Sequence, residues 1–194
     1  IEIPGEHQIL TEEKFGNQIL YVELQPEDSG KTMVLHFDVK RQEKAVFVDD
    51  TKPELYLLAE TMVPLNEKFK TIARNALKDK NGGDLVRARA LYDHTIDSMK
   101  YAKFGSGWGQ GNANFACDSA RGNCTDYHSY FIALCRASNI PARFAIGAAV
   151  PSSRDNGGVN GYHCWAEFYA EGKWWPVDIS EADKYAALAT YYFG

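Results

Sequence analysis

Gly122-Asn123-Cys124-Thr125-Asp126-Tyr127-His128 is the stretch that decides how the rest of the chain is read. Asn123 is a good helix cap, and the residues after it place Tyr127, Phe131, Leu134 and Cys135 on one face. The spacing predicts a helix from Asn123 to about Ser138, ended by Pro141. Cys124 then stands in the first helical turn. Unpaired backbone N–H groups and the helix dipole stabilise a thiolate there, and the same N–H groups can receive an oxyanion.

A nucleophilic thiol needs a base, and Gly161-Tyr162-His163-Cys164-Trp165-Ala166-Glu167-Phe168-Tyr169 offers one. Read as a strand, it puts His163, Trp165, Glu167 and Tyr169 on one face. Cys164, Ala166 and Phe168 fall on the other, so Cys164 is expected as buried packing that points away from His163. A Glu171-Gly172 turn leads to a second strand, Lys173 to Ile179. With a two-residue loop, Ala170 faces Lys173 and Trp165 faces Asp178. Asp178 and His163 then become diagonal neighbours with Cβ atoms roughly 7 to 8 Å apart. A three-residue loop with a glycine bulge would set Asp178 opposite Cys164 and separate the pair. The spacing admits both registers; the chemistry favours the first. The candidate catalytic set is Cys124 as nucleophile, His163 as base and Asp178 as the acid that fixes the imidazole tautomer.

Taken with Asn139-Ile140-Pro141-Ala142-Arg143 and Trp175-Pro176-Val177-Asp178, these runs resemble the transglutaminase-like core family over roughly Asp84 to Asp183. The resemblance implies an α+β, papain-like fold in which the nucleophile helix packs on an antiparallel sheet. Cys124, His163 and Asp178 match the family triad. Members range over protein crosslinking, amide or peptide hydrolysis and inactive scaffolds, so the fold does not select the reaction. The small size of this chain leans toward hydrolysis. No Asp-x-Asp-x-Asp-Gly calcium loop appears, and no cofactor is implied. In the family an upstream aromatic or Gln side chain completes the oxyanion hole, which points to Trp108 or Gln110. Trp165, with Trp174 and Trp175, is a candidate aromatic wall for a substrate chain.

Residues 1–50 read as a small N-terminal β-layer, with strands at Ile19 to Leu24, Thr32 to Val39 and Ala45 to Val48 and a turn at Pro26 to Gly30. The layer is too thin to bury a core alone. Residues 51–194 read as the catalytic core. Asn66 to Leu77 forms one amphipathic helix, Asn81-Gly82-Gly83 ends it, and Asp84 caps a second that carries Leu85, Ala88, Tyr92, Ile96 and Met99 on its inner face. Phe104 to Cys117 reads as a loop with glycine at 105, 107, 109 and 111. It lacks the Lys-Ser or Lys-Thr of a phosphate cradle.

Composition narrows the function classes. The 194 residues are 45% hydrophobic and 24% charged, which fits a folded globular chain. A net charge of −5 without a basic stripe disfavours nucleic acid as the main ligand. Apolar stretches such as Phe144 to Val150 fall far short of the roughly 18 to 20 residues of a membrane-spanning helix. The chain opens at Ile1 without a leader, which reads as loss of an upstream segment and leans toward export. It stops at Tyr191-Tyr192-Phe193-Gly194 just after a strand-like segment, as a domain cut from a longer protein would. The four cysteines do not form a disulfide framework, and a zinc site from Cys124, His128, His163 and Cys164 lacks zinc-like spacing. His128 reads as a polar residue beside the cleft and Asp126 as a partner of the helix dipole. Two functions are therefore expected to compete: a cysteine-dependent amide or peptide hydrolase or acyltransferase working through a thioester, and a noncatalytic module that binds peptide or glycan on the same fold.

Overall fold

A computed structural model describes residues 1–40, 45–150, 156–159 and 161–193. The chain divides into two compact units, Ile1–Glu43 and Lys44–Gly194. In the first, β1 (Glu6–Thr11) pairs antiparallel with β2 (Gln18–Glu23), and Thr11 lies opposite Gln18. The turn expected at Pro26 is a 3-10 helix, Pro26–Asp28, with the Asp28 carboxylate accepting the Gln25 N–H at 2.9 Å. The expected strand from Thr32 to Val39 does not form. Val34 alone bridges to Glu2, and Met33, Leu35, Phe37 and Val39 are exposed. Alternating hydrophobicity makes a strand only where a neighbouring backbone is present to take its hydrogen bonds.

The second unit holds the helices. Asn66 caps α1 (Glu67–Ala76) by accepting the Phe69 N–H at 3.1 Å, and α1 buries Phe69 and Ala73. Gly83 rather than Asp84 caps α2 (Asp84–Ser98). Asp84 lies one residue further in, where its carboxylate favours the helix dipole and pairs with Arg87 at 2.7 Å. β3 (Lys100–Tyr101) pairs in parallel with β4 (Arg121–Gly122). Between them the sequence reading of a loop through Cys117 is too long: Asn112 accepts the Asn114 and Phe115 N–H groups and starts α3 (Ala113–Ser119). An Asn that satisfies two orphan N–H groups is a helix start that glycine-rich surroundings mask.

α4 (Cys124–Ala137) runs through the middle of this unit. One buried face is expected from its sequence, yet every residue from Asp126 to Arg136 is buried. β5 (Ala142–Ala148), β6 (Tyr162–Ala170) and β7 (Lys173–Val177) form an antiparallel sheet in that order, and α4 packs on it through contacts such as the edge-on pair Phe131–Phe168. α1, α2, α3 and α5 (Ile179–Lys184) cover its other sides. The fold is thus α+β, with the central helix against an antiparallel sheet. Arg143 on β5 faces Glu167 on β6 and bonds it at 2.7 Å. It also bonds Asp49 and Thr51, and its guanidinium lies 4.0 Å over the buried Trp174 ring. Phe47 bridges to Trp174, so the strand expected at Ala45 to Val48 reduces to one pairing on the edge of this sheet.

Candidate active site

Each residue of the run 122–126 has a physical task. A Cβ on Gly122 would lie 2.3 Å from the Asp126 Cβ, so only glycine fits there. Asn123 accepts the Thr125 N–H at 3.0 Å, while Asp126 reaches back to accept the Asn123 N–H at 3.0 Å, closing a capping box. The same carboxylate accepts the Gly109 N–H at 2.7 Å and the Gly111 N–H at 3.3 Å. Asp126 is therefore more than a dipole partner: it fastens the glycine loop to the start of α4. All four loop glycines have positive φ, between 70° and 89°, which explains their appearance at every second position. The Cys124 N–H meets no acceptor among the described residues and remains free to donate.

The β6–β7 hairpin adopts the two-residue loop. Ala170 faces Lys173, Phe168 faces Trp175 and Ala166 faces Val177, with Glu171 and Gly172 both at positive φ, as a type I′ turn requires. β7 stops at Val177, two residues short of the expected end, because Asp178 leaves the ladder to cap α5. Its Oδ1 accepts the Glu181 N–H and the Ser180 hydroxyl at 3.1 Å each, and its Oδ2 accepts the His163 Nε2–H at 2.5 Å. One carboxylate thus fixes a helix start and the imidazole together. The pattern Asp178-x-x-Glu181 is a capping signature that the sequence carries in plain view.

With β7 gone, the edge of β6 near His163 is open toward the start of α4. The Cys164 thiol, the His163 ring and the Cys164 backbone N–H all favour a charge on the Cys124 sulfur. They outweigh burial and hold the Cys124 thiol down to about 3, with Cys164 contributing most. His163 is raised to about 10, first by Asp178 and then by Cys124. Burial pushes Asp178 up, but His163 and the neighbouring N–H group keep it below the ordinary carboxylate value. Cys164 moves the opposite way to Cys124, well up, because it donates to the thiolate and is buried. Cys164 is buried on the strand face opposite His163, as the alternation predicts, and its sulfur stands 3.5 Å from the Thr125 hydroxyl.

The structure brings Cys124, His163 and Asp178 together and leaves several other candidates apart. Trp165 is half-buried beside His163, with ring centroids 6.5 Å apart. Trp108 is half-buried and Gln110 exposed; neither side chain hydrogen-bonds anything among the described residues. Trp174 is buried with its N–H on Asp49, and Trp175 stacks on Phe168, so the proposed aromatic wall reduces to Trp165. Tyr162 enters instead: its hydroxyl accepts from Asn123 Nδ2 at 3.1 Å and lies 3.4 Å from the Thr125 hydroxyl, above the helix start. Among the described residues no group of three or more His, Cys, Asp or Glu side chains is placed to hold a metal ion, and no helix is long and apolar enough to cross a membrane.

A cysteine at the start of a buried helix, a histidine on a neighbouring strand and a carboxylate behind it stand together on an α+β fold of papain-like type. The family model of the transglutaminase-like superfamily matches residues 70–179, and the chain belongs to that superfamily. An uncharacterised protein of Haemophilus influenzae is 31% identical over 125 residues, which are 54% of this chain and 34% of that one. Among solved structures, a proposed cysteine protease from Cytophaga hutchinsonii superposes with a TM-score of 0.55 at 24% identity, over 68% of this chain and 43% of the other. The periplasmic domain of TgpA from Pseudomonas aeruginosa superposes with a TM-score of 0.53 at 17% identity, over 73% of this chain and 53% of the other. These likenesses show the fold. The chain spans about a third of its curated relative and about half of each structure.

Proposed function

We propose that the protein is a cysteine-dependent amide or peptide hydrolase or acyltransferase, with Cys124 as nucleophile, His163 as base and Asp178 as the orienting acid. The observation that carries this reading is the His163 Nε2–Asp178 Oδ2 bond at 2.5 Å, with His163 acting in turn on Cys124 in the first turn of a buried helix. The Cys124 thiolate attacks a carboxamide or peptide carbonyl, and the developing oxyanion takes the free Cys124 N–H. His163, protonated in the resting pair, gives its proton to the leaving amine, and a thioester remains on Cys124. Water or an amine then resolves the thioester, with His163 accepting the proton of the attacking group. Asp178 holds the Nε2–H throughout, so the other ring nitrogen is the one that faces sulfur. The description of the Cytophaga protein as a proposed cysteine protease leans the choice toward hydrolysis of a protein or peptide substrate.

Alkylation of the native protein with iodoacetamide, followed by peptide mass mapping, tests the reading in wild type, His163→Ala and Asp178→Ala from pH 5 to 9. A thiol at about 3 and an imidazole at about 10 keep the ion pair across that whole range, so wild type should label at Cys124 with a flat rate. His163→Ala removes the counter-charge and moves the thiol toward its ordinary value near 8.5, so labelling at pH 6 should fall at least about tenfold. Equal or absent labelling in all three proteins overturns the enzyme reading and leaves a scaffold used for binding. Where the labelling behaves as expected, product analysis of a peptide amide with and without an added primary amine separates hydrolysis from acyl transfer.

A further inference from the structure

His128 lies one turn below Cys124 on α4 and is completely buried. Its Nδ1 stands 2.6 Å from the Cys124 carbonyl oxygen, and its Nε2 stands 3.0 Å from the Ile179 backbone nitrogen. A carbonyl only accepts and an amide N–H only donates, so the two contacts fix the tautomer: Nδ1 carries the proton and Nε2 is bare. The ring is neutral, and burial disfavours a charge on it. A histidine so placed is neither base nor ligand. It is a brace with one foot on the nucleophile and the other on the residue after Asp178.

The brace has a definite consequence. Ile179 is the first residue of α5, and its N–H is one of the orphan donors of a helix start. Asp178 turns its Oδ1 to Glu181 and Ser180 and its Oδ2 to His163, and its Oδ1 stands 3.8 Å from His128 Nε2. His128 supplies the missing acceptor from a different helix. A connected path results, from the Cys124 carbonyl through His128 to Ile179, across one peptide unit to Asp178 and on to His163.

We infer that His128 is a positioning residue of this site: as a neutral Nδ1–H imidazole it ties the start of α4, which carries Cys124, to the start of α5, and thereby holds Asp178 and, through it, His163 in place relative to Cys124. The inference rests on the proposed role of Cys124. Its sequence signal is a histidine four residues after the nucleophile on the same helix, a pattern that a cleft-side polar residue would share.

The test uses the pH profile of Cys124 alkylation, read on folded protein after a thermal melt of each variant. His128→Gln keeps an acceptor near the Nε2 position and should retain most of the wild-type rate at pH 6 with a flat profile. His128→Asn keeps only a donor near the Nδ1 position and frees Ile179. Its rate at pH 6 should drop on the order of tenfold to a hundredfold, as misplacement of reacting groups by a fraction of an ångström does. Ile179→Pro reaches the same tie without touching His128: proline is well suited to the first helical position and has no N–H, so the same drop is expected even if His128→Asn fails to fold. Flat wild-type profiles in folded His128→Asn and Ile179→Pro overturn the inference and make His128 a stability residue only. If wild type itself shows no selective labelling that depends on His163, it is the reading of Cys124 as nucleophile that fails, a different and separately visible result.

Discussion

Cys124 is held from two sides by different means. On the hairpin side the supports are titrating side chains: the His163 imidazole, backed by Asp178, and the Cys164 thiol. On the loop side one carboxylate, Asp126, gathers the backbone N–H groups of Asn123, Gly109 and Gly111. The first set stands around the sulfur; the second ties backbone N–H groups and holds the chain in place. The difference teaches where damage should appear. A change on the hairpin side should be read in rate and pH profile, and one on the loop side in stability.

Asp178→Asn is the sharpest way to break that contrast. The amide oxygen can still cap Glu181, which leaves the NH2 group toward His163 and turns Nε2 into an acceptor. The proton then moves to the nitrogen that faces sulfur, the wrong tautomer for taking one from a thiol. Amide turnover should fall by roughly a thousandfold or more, as tautomer errors in such triads do, with a melting temperature close to wild type. Asp178→Ala should add the loss of the cap, about 1 kcal/mol of stability. A variant that lost stability but kept turnover would place Asp178 with the structural supports.

On the other side, Asp126→Ala strands the N–H groups that one buried carboxylate satisfies. At about 1 kcal/mol or more for each, the second unit should lose roughly 3 kcal/mol. For a unit of this size that lowers the melting temperature by roughly 6 to 12 °C in calorimetry. Alkylation of the molecules that remain folded should keep the flat profile from pH 5 to 9. A tilted profile would mean that the loop also tunes the thiolate. Gly111→Ala is a milder probe of the same support. Its φ of +70° disfavours a side chain, and the new Cβ would sit 3.0 Å from both Ser129 Oγ and Thr125 Cγ2. The expected loss is about 1 to 2 kcal/mol, again without a change in the profile.

The hairpin side was legible in the sequence because strand alternation and a two-residue turn are local rules. The order Glu171-Gly172 and the face shared by His163 and Trp165 suffice to bring Asp178 near His163 once the register is chosen. The loop side was not legible, since which carboxylate would meet Gly109 and Gly111 depends on a fold between residues 15 to 17 apart. Asp126 looked like any acidic residue in a first helical turn. For Cys164, alternation gives the face of its side chain and its burial, but which groups approach that face depends on where β7 ends, and that is set by the capping of α5 by Asp178. The segment Thr32 to Val39 shows the opposite failure, a clear alternating pattern with a single paired residue, Val34.

Cys164 offers the finest discrimination within the hairpin side. Its thiol and its backbone N–H both favour a charge on the Cys124 sulfur, and the thiol is the largest contributor to the lowered Cys124 value. Cys164→Ala removes the thiol and keeps the N–H, so the Cys124 value should rise yet stay below that of an ordinary cysteine, because His163 remains. The sign follows directly. Thiolate exists above the Cys124 value and is lost as pH falls through it, so the acid limb of labelling should move upward, while rates from pH 7 to 9 stay within about twofold. Cys164→Ser restores a donor at the same place and should bring the limb back down. An unmoved limb in Cys164→Ala would mean that His163 alone carries the hairpin side, and that the neighbouring thiol shares its space with the nucleophile but not its charge.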